Sequence, residues 1–551
     1  ERLEMLREKI PNIPFQMLLR GSNLVGYASY PDNLVRAFIA ESAREGIDVF
    51  RVFDSLNWLP NMETAMDEVL RQGKFLEGTV CYTGDILDPT RDRYTLQYYV
   101  DFAKELERRG AHMLAIKDMS GLLKPYAAKK LVSTLKQEIG IPIHLHTHNT
   151  TDNQIATYLM AAEAGVDVVD TAIGPLANLT SQPSMNALVE SLRGQERDTG
   201  FDPQRLQELA DYWADVRLRY ESFDKGLKVP VTDIYRYEIP GGQYTNLQPQ
   251  VESLGLGHRF AEVKEMYRTV NLMLGDIIKV TPSSKMVGDL AIFMVQNDLT
   301  PENIVEKGEH LAFPDSVVSY FKGMMGQPPC GFPKDLQRVV LKGEKPITGR
   351  PGDLLPPVDW DQLRSEIRKF YPNYEEPRSL ISFAMYPKVY EEYIRHRKEY
   401  GYIMRMGSHV FFNGMAVGEV NKINIEDGKT LMIKYIGLGD RNDDGTRNVQ
   451  FELNGMRREV SVPDPTATDS AKTVVMADPN DKSQAGASIP GMVSKVNVKP
   501  GDQVKVNDVL AVIEAMKMET SVVARMDGTV DEVFVKGGQS VKAGELLLTI
   551  K

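Results

Sequence analysis

The sequence predicts a multidomain α/β protein that begins with a parallel (β/α)8 barrel and ends with a small all-β domain. Short β-rich runs alternate with amphipathic helical stretches over the first 200 residues, and polar residues stand at the ends of those runs. The C-terminal region contains an internal repeat. A chain of 551 residues is also too long for a single hydrophobic core, so several domains are expected.

The barrel prediction depends on the strand candidates and on where their polar residues fall. The candidates are residues 14–21, 47–54, 76–84, 112–120, 142–149 and 166–174. Helical patterns lie between them, which favours parallel pairing, and a barrel keeps its chemistry at the carboxyl ends of its strands. Six strands are visible where a closed barrel has eight, so we expect the first two to be missing. An open doubly wound sheet is the alternative.

The remaining chain divides by composition and turn signals. Residues 1–200 hold the barrel and residues 201–375 form a helical extension, which has a Gly- and Pro-containing break at 239–247. Residues 376–462 are a helix followed by short strands, a small α+β module. Residues 463–486 are a polar linker, and residues 487–551 form the all-β domain.

Charge and composition exclude some functions. A net charge of −11 and a pI of about 5.5 disfavour nucleic acid or an anionic membrane as the main partner. No apolar run is long enough to span a bilayer. The two cysteines, Cys81 and Cys330, provide no disulfide framework, which is typical of a reducing compartment. We expect a cytoplasmic location, or the mitochondrial matrix in a eukaryote. The chain begins inside a charged helical pattern, so we expect that further sequence precedes it.

The all-β domain is predicted from its repeat. Residues 489–514 align without a gap with residues 526–551, at an offset that matches Gly491 with Gly528 and Val493 with Val530. Alternate valines mark half-buried strands, and the paired glycines mark tight turns. One half alone cannot bury its apolar face, so two halves are expected to pack as a flattened barrel with pseudo-two-fold symmetry.

Lys517 lies in the segment that joins the two halves. A link between matching strands is a hairpin, which predicts that Lys517 is exposed between Met516 and Met518. Most lysines are simply solvated at the surface, but two methionines beside an exposed lysine are unusual.

Three residues of the barrel are candidates for a metal site. His146 and His148 alternate along one strand, so both point to one face, and two imidazoles suit a divalent metal. Two satisfied core histidines are the alternative. Lys117 lies inside an apolar strand, where a lysine is costly unless it is paired or chemically changed. A salt bridge to Asp118 or Asp54 is its alternative.

Two regions of the chain show a family resemblance. IEAMKMET, which contains Lys517, resembles the attachment sequence of biotinyl carrier domains, in which the lysine is joined to biotin. The barrel resembles the carboxyltransferase domain of the pyruvate carboxylase family, and the resemblance extends from end to end. The segments that carry it are PNIPFQMLLRG, VFRVFDSLN, IKDMSGLLKP, IHLHTHNT, TSQPSMNALV, EIPGGQYTNL and IKVTPSSKMVGDLA.

The resemblance implies a metal centre. It implies that Lys117 is carbamylated (N6-carboxylysine) and binds Mn or Zn together with His146 and His148. The family's fourth ligand is an aspartate on the first barrel strand, in a segment that this sequence does not contain. Either that strand lies in upstream sequence, or this chain alone is inactive in carboxyl transfer.

The resemblance also implies substrate residues. Arg20 would bind the carboxylate of the keto acid, and Thr281 would pass a proton between biotin and the methyl group of pyruvate. From the residues alone, Arg20 could be a surface strand-end arginine, and Thr281 could be a helix cap. Tyr27 and Asp54 match residues that line the same pocket.

The implied reaction is transfer of a carboxyl group from carboxybiotin on Lys517 to pyruvate, giving oxaloacetate for anaplerosis and gluconeogenesis. Biotin would be carboxylated, with ATP, Mg and bicarbonate, by a biotin carboxylase domain. This sequence contains no Gly-rich phosphate loop, so we expect that domain to be absent from this chain. A biotin protein ligase, a homotetramer and activation by acetyl-CoA are also implied. The alternatives are the α chain of a biotin-dependent oxaloacetate decarboxylase and a non-catalytic biotin carrier or assembly scaffold.

Overall fold

The computed structural model describes the chain apart from residues 1, 225–226, 402, 404–405, 427, 443–444, 465–474, 479–480 and 516–517. Two units make up the chain. The first comprises Glu1–Leu363, Glu375–Met385 and Ala477–Lys551, and the second comprises Arg364–Tyr374 and Tyr386–Met476. The predicted barrel, most of its helical extension and the all-β domain therefore fall in one unit.

A parallel sheet forms the half-barrel of the first unit, and its strands coincide with the six predicted runs. They are β1 Gln16–Leu19, β2 Val49–Val52, β3 Phe75–Cys81, β4 Met113–Asp118, β5 Ile143–Thr147 and β6 Val168–Val169. Neighbours in the sheet follow chain order from β1 to β6. A doubly wound sheet would reverse its strand order at a switch point, so the sequential order favours the barrel over the open alternative.

Helices follow the strands and cover the sheet. The first of them are α1 Arg2–Lys9, α2 Asp32–Arg44, α3 Pro60–Arg71, α4 Leu96–Arg108, α5 Pro125–Glu138, α6 Gln154–Glu163, α7 Met185–Leu192 and α8 Pro203–Leu218. In α4 the side chain of Thr95 caps the first turn by accepting from the Tyr98 amide, and one face, including Tyr99 and Leu106, is buried.

The helical extension continues in the first unit. Its helices are α9 Ile234–Tyr237, α10 Gly241–Ser253, α11 Phe260–Met273, α12 Ser283–Gln296, α13 Ile304–Gly308, α14 Asp315–Phe321, α15 Lys334–Leu341 and α16 Pro351–Leu354. Helix α17 Trp360–Phe370 begins in the first unit and belongs to the second unit from Arg364 onward, and α18 Arg378–Met385 belongs to the first unit again. The predicted break at 239–247 is shorter than expected, because α10 already begins at Gly241. The glycine is needed there for space, since a Cβ on Gly241 would lie 3.0 Å from Nδ1 of His148.

The second unit contains the helices α19 Pro387–Tyr400 and α20 Ser408–Asn413 and an antiparallel sheet. Its strands are β7 Val420–Glu426, β8 Lys429–Arg441, β9 Thr446–Leu453 and β10 Met456–Pro463, paired in the order β10-β9-β8-β7. Asn454 and Gly455 both have positive φ, as the tight turn between β9 and β10 requires. The predicted module began at residue 376, whereas α18 packs in the first unit, where Leu380 and Phe383 are buried.

The all-β domain consists of two interlocked sheets. Its strands are β11 Gln484–Gly486, β12 Gly491–Val496, β13 Gln503–Val504, β14 Val509–Ala515, β15 Met518–Val523, β16 Gly528–Val533, β17 Ser540–Val541 and β18 Leu546–Ile550. The sheets have the orders β11-β18-β16-β13 and β15-β14-β12-β17. Each half of the repeat thus lends one short strand, β13 or β17, to the sheet of the other half, as the predicted pseudo-symmetry requires.

Two further sequence expectations concern the two cysteines and membrane-spanning segments. Both cysteines are free: Cys81 is buried and Cys330 is exposed. Among the helices within the described ranges, none has the length and apolar character needed to cross a membrane.

Candidate functional site

The three predicted metal-site residues lie together at the carboxyl ends of β4 and β5. Lys117 stands opposite His146 on the neighbouring strand. The rings of His146 and His148 have their centroids 5.2 Å apart. All three side chains are buried. Adjacent parallel strands and a two-residue alternation therefore bring the trio together, as the sequence predicts.

Both imidazoles are oriented by hydrogen bonds from their Nδ1 atoms. Nδ1 of His146 donates to Asp170 Oδ2 at 2.7 Å, and Nδ1 of His148 donates to the Thr180 carbonyl at 2.7 Å. Each ring is left with its lone pair on Nε2. Burial lowers the pKa of His146 to about 3 and the pKa of His148 to about 4, so both rings are neutral near pH 7. Neutral imidazoles held in this way are the form that binds metal ions.

The Nε2 atom of His146 provides an independent test of whether the site suits a metal ion. It is buried, and within the part of the chain that the structure describes it has no hydrogen-bond partner. An unsatisfied buried polar atom is uncommon in folded proteins and calls for a ligand. A divalent metal bound to this nitrogen satisfies it.

Lys117 is 1% exposed, and its ammonium lies 4.9 Å from the ring centroid of Phe53. No ion pair to a carboxylate is formed by it among the described residues. Both partners of the salt-bridge alternative are engaged elsewhere: Asp118 accepts from backbone amides that follow β4, and Asp54 accepts from amides that follow β2. Burial lowers the pKa of Lys117 to about 8, which raises its share of free amine.

A buried polar network that the sequence analysis missed supports the histidines. Arg51 donates to Glu77 Oε2 at 2.5 Å and to Asp170 Oδ2 at 2.5 Å. His144 contacts both carboxylates, at 2.5 Å and 2.8 Å. Burial alone would raise the pKa of Asp170, but hydrogen bonds from the two histidines and the charge of Arg51 hold it well below its usual range. Asp170 is therefore an ionised acceptor that fixes the ring of His146.

A signal for part of this network was present in the sequence. His144 precedes His146 and His148 at the same two-residue alternation, and Arg51 interrupts an apolar strand much as Lys117 does. Among the described residues, no group of three or more His, Cys, Asp or Glu side chains is arranged to hold a metal ion. The site thus offers two imidazoles and Lys117, a set that fits a divalent metal if Lys117 becomes an oxygen donor, and that lacks the fourth ligand of the resemblance.

Arg20 and Tyr27 lie near each other beyond the end of β1. The guanidinium carbon of Arg20 is 6.0 Å from the ring centroid of Tyr27, and Nη1 donates to the Gly26 carbonyl at 3.5 Å. Arg20 also acts electrostatically on Lys117, whose pKa it lowers. Arg20 is half-buried rather than a freely solvated strand-end arginine.

Tyr27 and Thr281 line one pocket of about 350 Å³, together with Lys285. Two residues of the all-β domain, Met492 and Glu514, line the same pocket. The structure therefore brings the predicted proton-transfer residue, a predicted substrate residue and the all-β domain to one place.

Thr281 is not a helix cap. Helix α12 begins at Ser283 after Pro282, and no side chain caps its first turn. The hydroxyl of Ser283 accepts instead from the Val280 amide at 3.1 Å. The capping alternative for Thr281 is wrong, and its half-buried hydroxyl is left at the pocket.

Asp54 does not line this pocket within the described part of the chain, which differs from the prediction. It is 2% exposed and accepts from Asn61 Nδ2 at 2.7 Å and from the Leu56 amide at 2.8 Å. The carboxylate therefore organises the loop after β2. A polar residue at the end of a strand can either line a pocket or organise the following loop, and the motif alone does not distinguish these two roles.

Lys517 lies outside the described residues, in the two-residue connection between β14 and β15. These strands pair antiparallel, with Ala515 opposite Met518. Glu514 lines the pocket with Thr281, and Glu519 lines a neighbouring pocket with Tyr27. Described residues on both sides of Lys517 thus border pockets that Thr281 and Tyr27 line.

Comparison with known protein families assigns the class. Residues 89–212 match the model described as HMGL-like, residues 234–434 match a conserved carboxylase domain, and residues 481–550 match the model described as biotin-requiring enzyme. A carboxylase domain joined to a biotin domain in one chain defines a biotin-dependent carboxylase.

Individual relatives narrow this class. The chain is 50% identical over 551 residues to pyruvate carboxylase of Bacillus subtilis and 49% identical over 552 residues to that of Staphylococcus aureus. All of this chain but only 48% of each relative is covered, so the chain spans about half the length of the curated relatives it matches. A solved structure that the chain resembles is the carboxyl transferase domain of Rhizobium etli pyruvate carboxylase with pyruvate and biocytin. The TM-score is 0.82 at 47% identity, and the match covers 84% of this chain and 78% of the R. etli chain. The chain belongs to the pyruvate carboxylase family.

Proposed function

We propose that this chain carries out the carboxyl-transfer half of pyruvate carboxylation, in which a carboxyl group carried by biotin on Lys517 is moved to pyruvate to give oxaloacetate. The observation that carries the proposal is the shared pocket, which is lined by Tyr27 of the barrel, Thr281 of the helical extension and Glu514 of the biotin domain. The R. etli domain solved with pyruvate and biocytin, at 47% identity, supports the same substrate.

The reaction balances as follows. The N–CO2 bond on biotin breaks and the methyl group of pyruvate loses a proton. A C–C bond forms between that carbon and CO2, and the proton ends on the biotin nitrogen. Because Thr281 lines the pocket and its hydroxyl is not used as a cap, it can accept the proton from the methyl group and deliver it to that nitrogen.

The other residues orient the keto acid. The guanidinium of Arg20 presents donors to its carboxylate. Biotin supplies the carboxyl group. His146, His148 and carbamylated Lys117 would hold a divalent metal, which would supply positive charge to polarise the keto oxygen. Burial of Lys117, His146 and His148 excludes water, which would otherwise intercept the released CO2 or the carbanion.

The test uses the full-length, biotinylated protein. Oxaloacetate is followed by its reduction with malate dehydrogenase and NADH in the presence of ATP, Mg²⁺, bicarbonate and pyruvate. We expect NADH oxidation that requires pyruvate, ATP and biotinylation together. Oxaloacetate consumption without ATP, and no synthesis with it, would identify the decarboxylase alternative. No turnover in either direction would leave only the scaffold alternative.

We propose four further properties of the full-length protein: modification by a biotin protein ligase, assembly into a homotetramer, activation by acetyl-CoA and a cytoplasmic location. Support for assembly comes from the second unit, where Val417 is 74% exposed, Met456 is 56% exposed and Leu438 is 51% exposed. An interface between subunits would cover such apolar side chains. Sedimentation with and without acetyl-CoA tests assembly, and a monomer under both conditions would contradict it.

A further inference from the structure

A buried ion pair joins two segments that lead into the pocket. Glu238 follows α9 and is 6% exposed, and Lys279 precedes α12 and is 3% exposed. Nζ of Lys279 lies 3.0 Å from Oε2 of Glu238. Neither residue has a part in the proposed reaction.

The pair is anchored on both sides. Arg91 donates to the other oxygen of Glu238 at 2.5 Å. Lys279 donates to the Ile277 carbonyl at 3.1 Å and to Thr83 Oγ1, just beyond β3, at 3.4 Å. Burial raises the pKa of Glu238, but the two cations outweigh it and lower that pKa overall, so the carboxylate is charged. The pair therefore connects the end of β3 with two separate parts of the helical extension.

Each partner lies next to a residue of the site. Glu238 is followed closely by Gly241, whose amide donates to the Met119 carbonyl at 2.9 Å and whose missing Cβ would lie 3.0 Å from Nδ1 of His148. Lys279 is followed closely by Thr281, which lines the pocket. The ion pair thus ties the segment that backs a metal-site histidine to the segment that carries the proton-transfer threonine.

We infer that Glu238 and Lys279 are positioning residues that set the place of Thr281 relative to His148. The inference rests on the proposed function. A buried ion pair is poor at adding stability, because the cost of removing two charges from water offsets their attraction. Its fixed geometry serves orientation, and in catalysis a displacement of about 1 Å can lower the rate about 100-fold.

The test replaces both charges at once, by Glu238→Gln with Lys279→Met, in the full-length protein. The double change leaves no buried charge at either position, and Arg91 keeps its ion pair with Asp276 at 3.6 Å, so we expect the fold to be retained. We expect kcat for oxaloacetate formation to fall about 10- to 100-fold, while KM for pyruvate is unchanged because Arg20 still binds it. We also expect faster amide hydrogen exchange in the segment 277–284, a readout that does not depend on activity.

Arg350→Met is the matched control. Arg350 forms an ion pair with Asp32 at 2.6 Å in the same unit, but it does not line the pocket within the described chain. This variant should melt earlier and keep its kcat. Lys279→Arg keeps the positive charge and should retain more activity than Lys279→Met. This pair of single variants provides a second test of the positioning role if the double variant folds poorly.

The outcomes separate this inference from the proposed function. Unchanged kcat and unchanged exchange in the double variant would overturn the positioning role. A wild-type protein that forms no oxaloacetate would overturn the proposed function, and hydrogen exchange at 277–284 would still decide whether the ion pair holds this segment.

Discussion

The barrel site and the all-β biotin domain differ in what they bury. The core around the barrel site includes buried charged and titratable side chains, namely Arg51, Glu77, Lys117, Asp118, His144, His146 and His148. The core of the biotin domain is apolar, with Val493, Leu510, Ile513, Leu547 and Leu548 at its centre. Within the described part of that domain, no charged side chain is buried.

The difference shows two ways of holding a functional group. A buried charge is costly unless it is paired, and Arg51, Glu77 and His144 are paired in this way. The barrel site therefore depends on many contacts of defined geometry. The biotin domain depends on the shape of its two interlocked sheets, and Lys517, the proposed attachment site, falls between the end of β14 and the start of β15 in the sequence. Changes in the barrel should therefore alter chemistry in a graded way, whereas the biotin domain should fail in an all-or-none way at one residue.

The largest effect is expected for Lys517→Arg, which should abolish biotinylation and with it all carboxyl transfer. Arginine keeps the positive charge but does not form the amide that a lysine amine forms with biotin. The measurement is a streptavidin blot after coexpression with a biotin ligase. Lys536→Arg, an exposed lysine in the same domain, is the control and should be labelled like wild type. A persistent signal in Lys517→Arg would show that the attachment site lies elsewhere.

A large effect on the barrel site is expected for His146→Ala, which should lower bound metal at least 10-fold, since even the loss of a residue that only orients a ligand costs about 10- to 100-fold in affinity. Elemental analysis of the purified full-length protein measures it. His310→Ala removes an exposed histidine and should leave the metal content as it was. Equal metal content in His146→Ala and wild type would contradict the metal site.

A smaller effect is expected for Gly241→Ala. The added Cβ would meet His148 Nδ1 at 3.0 Å, so the ring must shift by a few tenths of an ångström, and metal affinity should fall severalfold. Gly242→Ala is the matched control, because a Cβ there meets nothing within 4 Å. It should keep full metal affinity and can gain up to about 1 kcal/mol of stability from the better helix propensity of alanine. Equal metal affinity in the two variants would show that Gly241 does not position His148.

The same comparison explains how much the sequence could predict. The two halves of the biotin domain were predictable because their pattern is local and repeats, and β12 and β16 begin at the matched residues Gly491 and Gly528. The six barrel strands were predictable from alternating patterns. The placement of Lys117, His146 and His148 at neighbouring strand ends followed from the sequence pattern, whereas their grouping in one metal site was implied by the family resemblance.

The long-range pairs of side chains around the site could not be predicted in the same way. Arg51 reaches Asp170 across 119 residues of sequence, and Arg91 reaches Glu238 across 147 residues. No local pattern encodes such pairs, because they depend on how loops from different strands converge. The role of Asp54 was uncertain for a similar reason, since its hydrogen bonds are made by the loop that follows it.

The central claim is that the barrel pocket transfers the carboxyl group at a site separate from the one that charges biotin. Thr281→Ala in the full-length protein tests it most directly, with oxaloacetate formation and biotin-dependent ATP cleavage measured side by side. We predict that oxaloacetate formation falls at least about 100-fold, as for loss of a general acid–base group, while ATP cleavage and the melting temperature stay at wild-type values. Thr281→Ser keeps the hydroxyl and should retain part of the activity. A Thr281→Ala protein that forms oxaloacetate at the wild-type rate would contradict the claim.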